Sequence, residues 1–213
     1  LASAQATAAA DAATRAEVDA MVAFLLDAQD WRQLFDLVQT LVHWLTGAPR
    51  PPFRDALRDT LAAAGGIYLC FDLLGSAHEI VRVAALRLLG CLVLEVPSVA
   101  KSFRAEHLGW AGVTNILSMH SPGVPTLHAL LDLALGRIRD LPAIAIADKA
   151  EVASELDQLA SLPYEVLPEE LNVVLPGALQ PLLAQLAALP VPSRLPLLAH
   201  LRTLLKEAPR NAD

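Results

Sequence analysis

An all-α fold, an α-solenoid of armadillo/HEAT-like helical repeats, is what this sequence predicts, and three observations carry the prediction. The chain of 213 residues is 54% apolar but only 5% aromatic, and the excess is mostly Leu and Ala, both strong helix formers. Runs rich in Val, Ile and Thr with period-two alternation are missing, so no sheet is expected. One apolar pattern also recurs at a fixed interval. Val38, Leu41, Val42 and Leu45 are answered 43 residues later by Val81, Ala84, Ala85 and Leu88, and 43 residues further on by Val124, Leu127, His128 and Leu131. That period lies within the roughly 40–47 residues of armadillo and HEAT units. One greasy helix pair cannot cover its own faces, so neighbouring repeats must stack on it.

The elements follow in order. The opening "LASAQATAAADAATRAE" lacks a basic start followed by a long apolar block, so it is not a signal peptide. With no initiating Met, the chain reads as a fragment of something longer. Helices are predicted over 15–29 and 31–46, then broken by Gly47-Ala-Pro-Arg-Pro-Pro. A helix over 53–63 is followed by a shorter one over 66–75, opened by Gly65 and Gly66 and closed by Gly75. The segment 79–95 carries Val81, Ala84, Ala85, Leu88, Cys91 and Leu92 on one helical face. Ile80, Val83, Leu86, Leu89 and Val93 fill most of the remainder, the mark of a helix packed on several sides.

Beyond Pro97 come helices over 98–105 and 109–119. Gly109 answers Gly66, and Ile116 and Leu117 answer Leu73 and Leu74. A helix over 124–139 follows the Ser121-Pro-Gly break. Helices over 149–160, 177–188 and 194–207 complete the chain, with an irregular Pro-rich stretch about 161–176. A fourth copy of the repeat there, Leu167, Leu171 and Val174, is weak and interrupted by prolines. The whole of 1–213 is expected to be a single solenoid fragment, most regular over about 31–139.

Two stretches are long enough to raise the question of a membrane span. The charge-free run 171–193 contains Pro176, Pro181, Pro190 and Pro192 and the polar Asn172, Gln180 and Gln185, so a buried, proline-bounded helix near 177–188 fits it better. The segment 79–95 would place Arg82 and Arg87 in hydrocarbon. No transmembrane segment is expected.

The formal net charge of −7 repels nucleic-acid phosphates and anionic headgroups. Arg50 and Arg54 make only a short basic turn beside Pro51 and Pro52. Protein partners are therefore expected, and no nucleic acid. Cys70 and Cys91 each lie within an apolar run and read as buried thiols in a reducing compartment.

Chemistry is hard to find. The six histidines, His43, His78, His107, His120, His128 and His200, form no HExxH and no Cys/His pattern at zinc spacing. His128 stands where earlier repeats hold Ala85 and Val42, which suits a hydrogen-bonded, partly buried histidine. GxSxG, GxxxxGK[ST] and GxGxxG are absent, and Glu169 and Glu170 read as loop acids. No catalytic residue, cofactor or metal ligand is assigned. Trp31, Trp44 and Trp110 either pack between repeats or serve as surface anchors. The long second helices, 79–95 and 124–139, are the candidates to line a concave binding surface. Arg82 and Arg87, the only polar residues inside the first of them, are then a possible partner contact through the guanidinium fork; otherwise they snorkel or pair with a nearby acid.

The sequence "GGIYLCFDLLGSAHEIVRVAALRLLGCLVLE" followed by "HLGWAGVTNILSMHSPGVPTLHALLDLALG" resembles the armadillo-like region of the large BEACH-domain proteins of the neurobeachin family. The matching positions are 81–90, an I/V-R-x-x-A-L-x-L-L-G unit, and 120–135, an H-S/T unit leading into spaced leucines. The resemblance covers about 66–136, and the Leu, Ala and Pro bias is similar to the neurobeachin-like branch. Leu127 departs from the family's tyrosine after the threonine. The resemblance implies a non-catalytic protein-interaction or scaffold segment of a large vesicle- or granule-trafficking protein. It implies a cytoplasmic setting, with peripheral association to endomembranes through other domains of the parent. A purely structural spacer between functional domains is the alternative, and an α-solenoid enzyme a remote one.

Overall fold

The computed structural model describes residues 2–28, 30–47, 53–104, 109–121, 123–137, 154, 156–157, 177, 179–192, 194–195, 198–199 and 201–202, with side chains from 15 onward except at 179 and 180. Among them lie nine helices and no strand. They are α1 (Ala2–Asp27), α2 (Trp31–Thr46), α3 (Arg54–Ala63), α4 (Ile67–Leu74), α5 (Glu79–Glu95), α6 (Pro97–Phe103), α7 (Trp110–Leu117), α8 (Val124–Ala134) and α9 (Leu179–Ala188).

Two boundaries differ from expectation. The first helix begins at Ala2 rather than 15, because its alanine-rich opening has high helix propensity and no Gly or Pro to stop it. The break before α2 is set by Asp30, whose carboxylate accepts the Arg32 backbone N–H at 3.0 Å as an N-cap. At the other end α8 stops at Ala134 rather than 139. The chain turns back there: Gly136 N–H donates to the Leu133 carbonyl, and Arg137 N–H to the Asp132 carbonyl at 3.0 Å. The expected helices over 149–160 and 194–207 and the irregular stretch 161–176 lie largely or wholly outside the described residues.

The 43-residue register is visible in the packing. α2, α5 and α8, which carry the repeated apolar pattern, form one column with α5 in the middle. α4, α7 and α9 form a second. The short α3 rests on α1 and α2, and α6 rests in the same way on α4 and α5. The first two periods therefore each hold three helices, the armadillo arrangement, and not only the pair that the apolar pattern displays. The register extends to the backbone. Gly66 (φ 52, ψ −108) and Gly109 (φ 66, ψ −131), 43 residues apart, share a conformation that only glycine adopts readily.

Burial follows from this arrangement. In α5 every residue from Ile80 to Val93 except Arg87 is buried, and in α8 every residue from Pro125 to Ala134 is. Neither helix presents the open face expected of a concave binding layer, since neighbouring helices cover it. Polar groups tie successive repeats together. α8 begins at Gly123, which has no side chain to cap it. Glu79 of α5 supplies the cap instead, accepting from Thr126 Oγ1 at 2.7 Å and lying 3.4 Å from the Thr126 backbone N–H. Arg54 of α3 pairs with Glu95 at the end of α5, and Arg58 approaches the same carboxylate at 3.5 Å.

No single described helix is long and apolar enough to cross a membrane. α5 and α6 together reach the required length and composition, but the chain bends by 113° between them and α5 is the buried centre of the stack.

Candidate functional site

Arg82 is buried at 4% exposure. Its Nη1–H donates to the Ser76 carbonyl at 2.8 Å, tying α5 to the loop that precedes it. Burial lowers its pKa, and the nearby Glu79 carboxylate opposes that shift. Arg87 is half-buried one turn further on and lies near enough to Cys91 to act on its thiol. The two arginines named as a possible partner contact therefore do not share an open face, and Arg82 serves the fold. Arg82→Gln is expected to lower stability by about 1–3 kcal/mol, the range for leaving a buried group unpartnered. A thermal melt checks this; a surface arginine would leave the curve unmoved.

Cys70 and Cys91 are free thiols with 0% and 1% exposure. Burial raises both pKa values. That of Cys91 is pushed up to about 12, against the opposing pull of Arg87 and Arg54, and Cys70 is raised further by the proximity of Cys91. Such thiols are poor nucleophiles. At neutral pH a thiol alkylator should label neither cysteine in the folded chain and both in denaturant, as mass spectrometry would read. Because the folded pKa exceeds the unfolded value of about 8.5, this contribution to stability is intact below that pH. It declines as the pH rises toward about 12.

The aromatic and histidine side chains are also used between helices. Trp31 stacks on His78 at 4.5 Å, joining the start of α2 to the residue before α5, and Arg32 lies 5.4 Å from the Trp31 ring. Trp44 meets Phe53 edge-on at 5.0 Å, and Trp110 meets Phe103 at 5.2 Å. All three tryptophans are half-buried. His128 is buried in α8, His43 is exposed on α2 and His120 is half-buried. His107 and His200 lie outside the described residues. Among the described residues no group of three His, Cys, Asp or Glu is placed to hold a metal ion.

One surface feature was not foreseen. The helix expected to be buried near 177–188 is buried on one side only. Pro181, Leu182, Gln185 and Leu186 of α9 face α7 and α8, while Leu183, Ala184, Ala187 and Ala188 face outward. A helix apolar all round reads the same from sequence whether one or both of its sides are covered.

Helices stacked in two columns at a 43-residue period, with three in each of the first two periods, define an α-solenoid of the armadillo kind. A family model, Neurobeachin/BDCP, DUF4704 alpha solenoid region, matches residues 3–213. The chain belongs to this family. No curated protein and no solved structure matches it.

Proposed function

We propose that this chain is a non-catalytic, protein-binding scaffold segment of a large protein of vesicle or granule trafficking. It works in the cytoplasm and meets endomembranes only through other parts of its parent. The observation that supports this reading is the family match over residues 3–213. Arg54 and Arg58 of α3 pair with Glu95 of α5 and so join two helices, while Arg137 pairs with Asp132 at the end of α8 and Arg82 bonds the loop before α5.

The test is proximity labelling in cells with this chain and, as control, an unrelated solenoid of equal length, each fused to the same labelling enzyme. Proteins of vesicle or granule surfaces should be enriched at least several-fold over the control. Indistinguishable label sets would overturn the scaffold reading in favour of a passive spacer.

A further inference from the structure

We propose that Ser121, in the turn between α7 and α8, is the acceptor for a proline-directed serine kinase, and that the phosphate it receives loosens the joint between α5 and α8. Two independent observations single this residue out. The first is in the sequence: Ser121-Pro122 is the one place in the chain where a serine or threonine is followed by proline. Proline disfavours helical backbone at the residue before it, which suits a kinase cleft that takes its substrate extended. The second is in the structure. A kinase needs a hydroxyl that is exposed and not already engaged. Most of the described hydroxyls are engaged, Thr114 and Ser118 with helix carbonyls, Thr60 with Asp19 and Thr126 with Glu79. Ser98 is exposed but lies inside α6. Among the described side chains, Ser121 is the one serine or threonine that is exposed, unbonded and outside any helix.

The step moves the γ-phosphoryl group of ATP onto Ser121 Oγ. The bond from the γ-phosphorus to the β,γ-bridging oxygen breaks, the bond to Oγ forms, and ADP and the hydroxyl proton leave. The position of Ser121 decides what the new charge does. It stands two residues before Gly123, against which the Glu79 carboxylate lies, and that carboxylate caps α8 through Thr126. Two residues of chain span at most about 7 Å. A group of charge about −2 is thus set within roughly a Debye length, about 8–10 Å, of Glu79. The start of α8 offers only about half a positive charge in return, and Glu79 already takes it. The full unit on Glu79 outweighs that half, so the two anions repel and the tie between α5 and α8 weakens.

The experiment incubates the purified, folded chain with magnesium-ATP and a mitogen-activated or cyclin-dependent kinase, so its outcome does not depend on where the chain works in the cell. Mass spectrometry should place phosphate on Ser121, and Ser121→Ala and Pro122→Ala should each remove it. No phosphate on Ser121, or one that survives Pro122→Ala, overturns the site. The phosphorylated chain should then melt a few degrees below the unmodified one. In Glu79→Gln that difference should vanish or reverse, because the phosphate meets only the helix dipole. A midpoint unmoved by phosphorylation, or lowered as much in Glu79→Gln, overturns the loosening of the joint. If Glu79→Gln does not fold, melts of the two forms in about 1 M salt, where the Debye length is about 3 Å, take its place. The difference should disappear there, and its persistence would equally overturn repulsion by Glu79.

Discussion

Leu88→Asp is expected to abolish the cooperative thermal transition. Leu88 has 0% exposure on α5, the helix that packs on α2, α4, α6 and α8. Truncation to alanine at such a site costs about 2–5 kcal/mol through lost burial and the residual cavity. Aspartate loses the same contacts and adds a carboxylate with no water to solvate it, a further cost of several kcal/mol unless the group takes up a proton. Whole domains are stable by only about 5–15 kcal/mol, so the sum reaches the total. Leu94 provides the control within the same helix. It is 38% exposed, and Leu94→Asp should stay within about 0.5 kcal/mol of the parent. Circular dichroism melts of both variants decide the matter. If Leu88→Asp melts with an undiminished midpoint, α5 is not the centre of the stack.

Most of the stack was legible because its signals are local and repeated. Val38, Val81 and Val124 mark one column at equal intervals, and Gly66 and Gly109 mark the entries to α4 and α7. The third helix of the first two periods was visible as a short element but not as part of the unit, because α3 and α6 do not carry the repeated apolar pattern. The end of α8 was not legible, since Leu135 and Ile138 continue an apolar rhythm across Gly136 and only the backbone turn shows the stop. Arg82 was misleading for a different reason. Helical spacing gives the side of α5 from which the side chain leaves, but not that its guanidinium reaches back to the Ser76 carbonyl. The cap that Glu79 gives to Thr126 links residues 47 positions apart, and no local pattern announces such a tie. The open face of α9 is not legible either, because burial on the far side depends on what sits there, not on the helix's own residues.

Gly109→Ala is expected to be the most damaging of the conservative glycine changes. At φ 66 and ψ −131 the backbone lies where L residues are strained, a cost of about 1–3 kcal/mol. A Cβ there would also stand 1.8 Å from the Phe103 carbonyl oxygen. That atom belongs to the backbone at the end of α6, so no side-chain rotation relieves the overlap, and the backbone at Phe103 or Gly109 must shift at a further cost of about 1–3 kcal/mol. The total is roughly 2–6 kcal/mol by addition of those two ranges. Gly66, its counterpart one repeat earlier, shares the strain at φ 52 but would place a Cβ 3.2 Å from Val99 Cγ2, a side-chain atom that can yield. Gly66→Ala should therefore cost only the strain. Gly90 reverses the sign. It lies inside α5, where a Cβ would meet Leu133 Cδ1 at an ordinary 3.6 Å, and alanine is the better helix former by about 0.5–1 kcal/mol. Melting midpoints should thus fall in the order Gly90→Ala above the parent, Gly66→Ala below it and Gly109→Ala lowest. Equal losses at Gly66 and Gly109 would mean that the carbonyl overlap relaxes freely, leaving φ strain as the whole reason for glycine at both repeat entries.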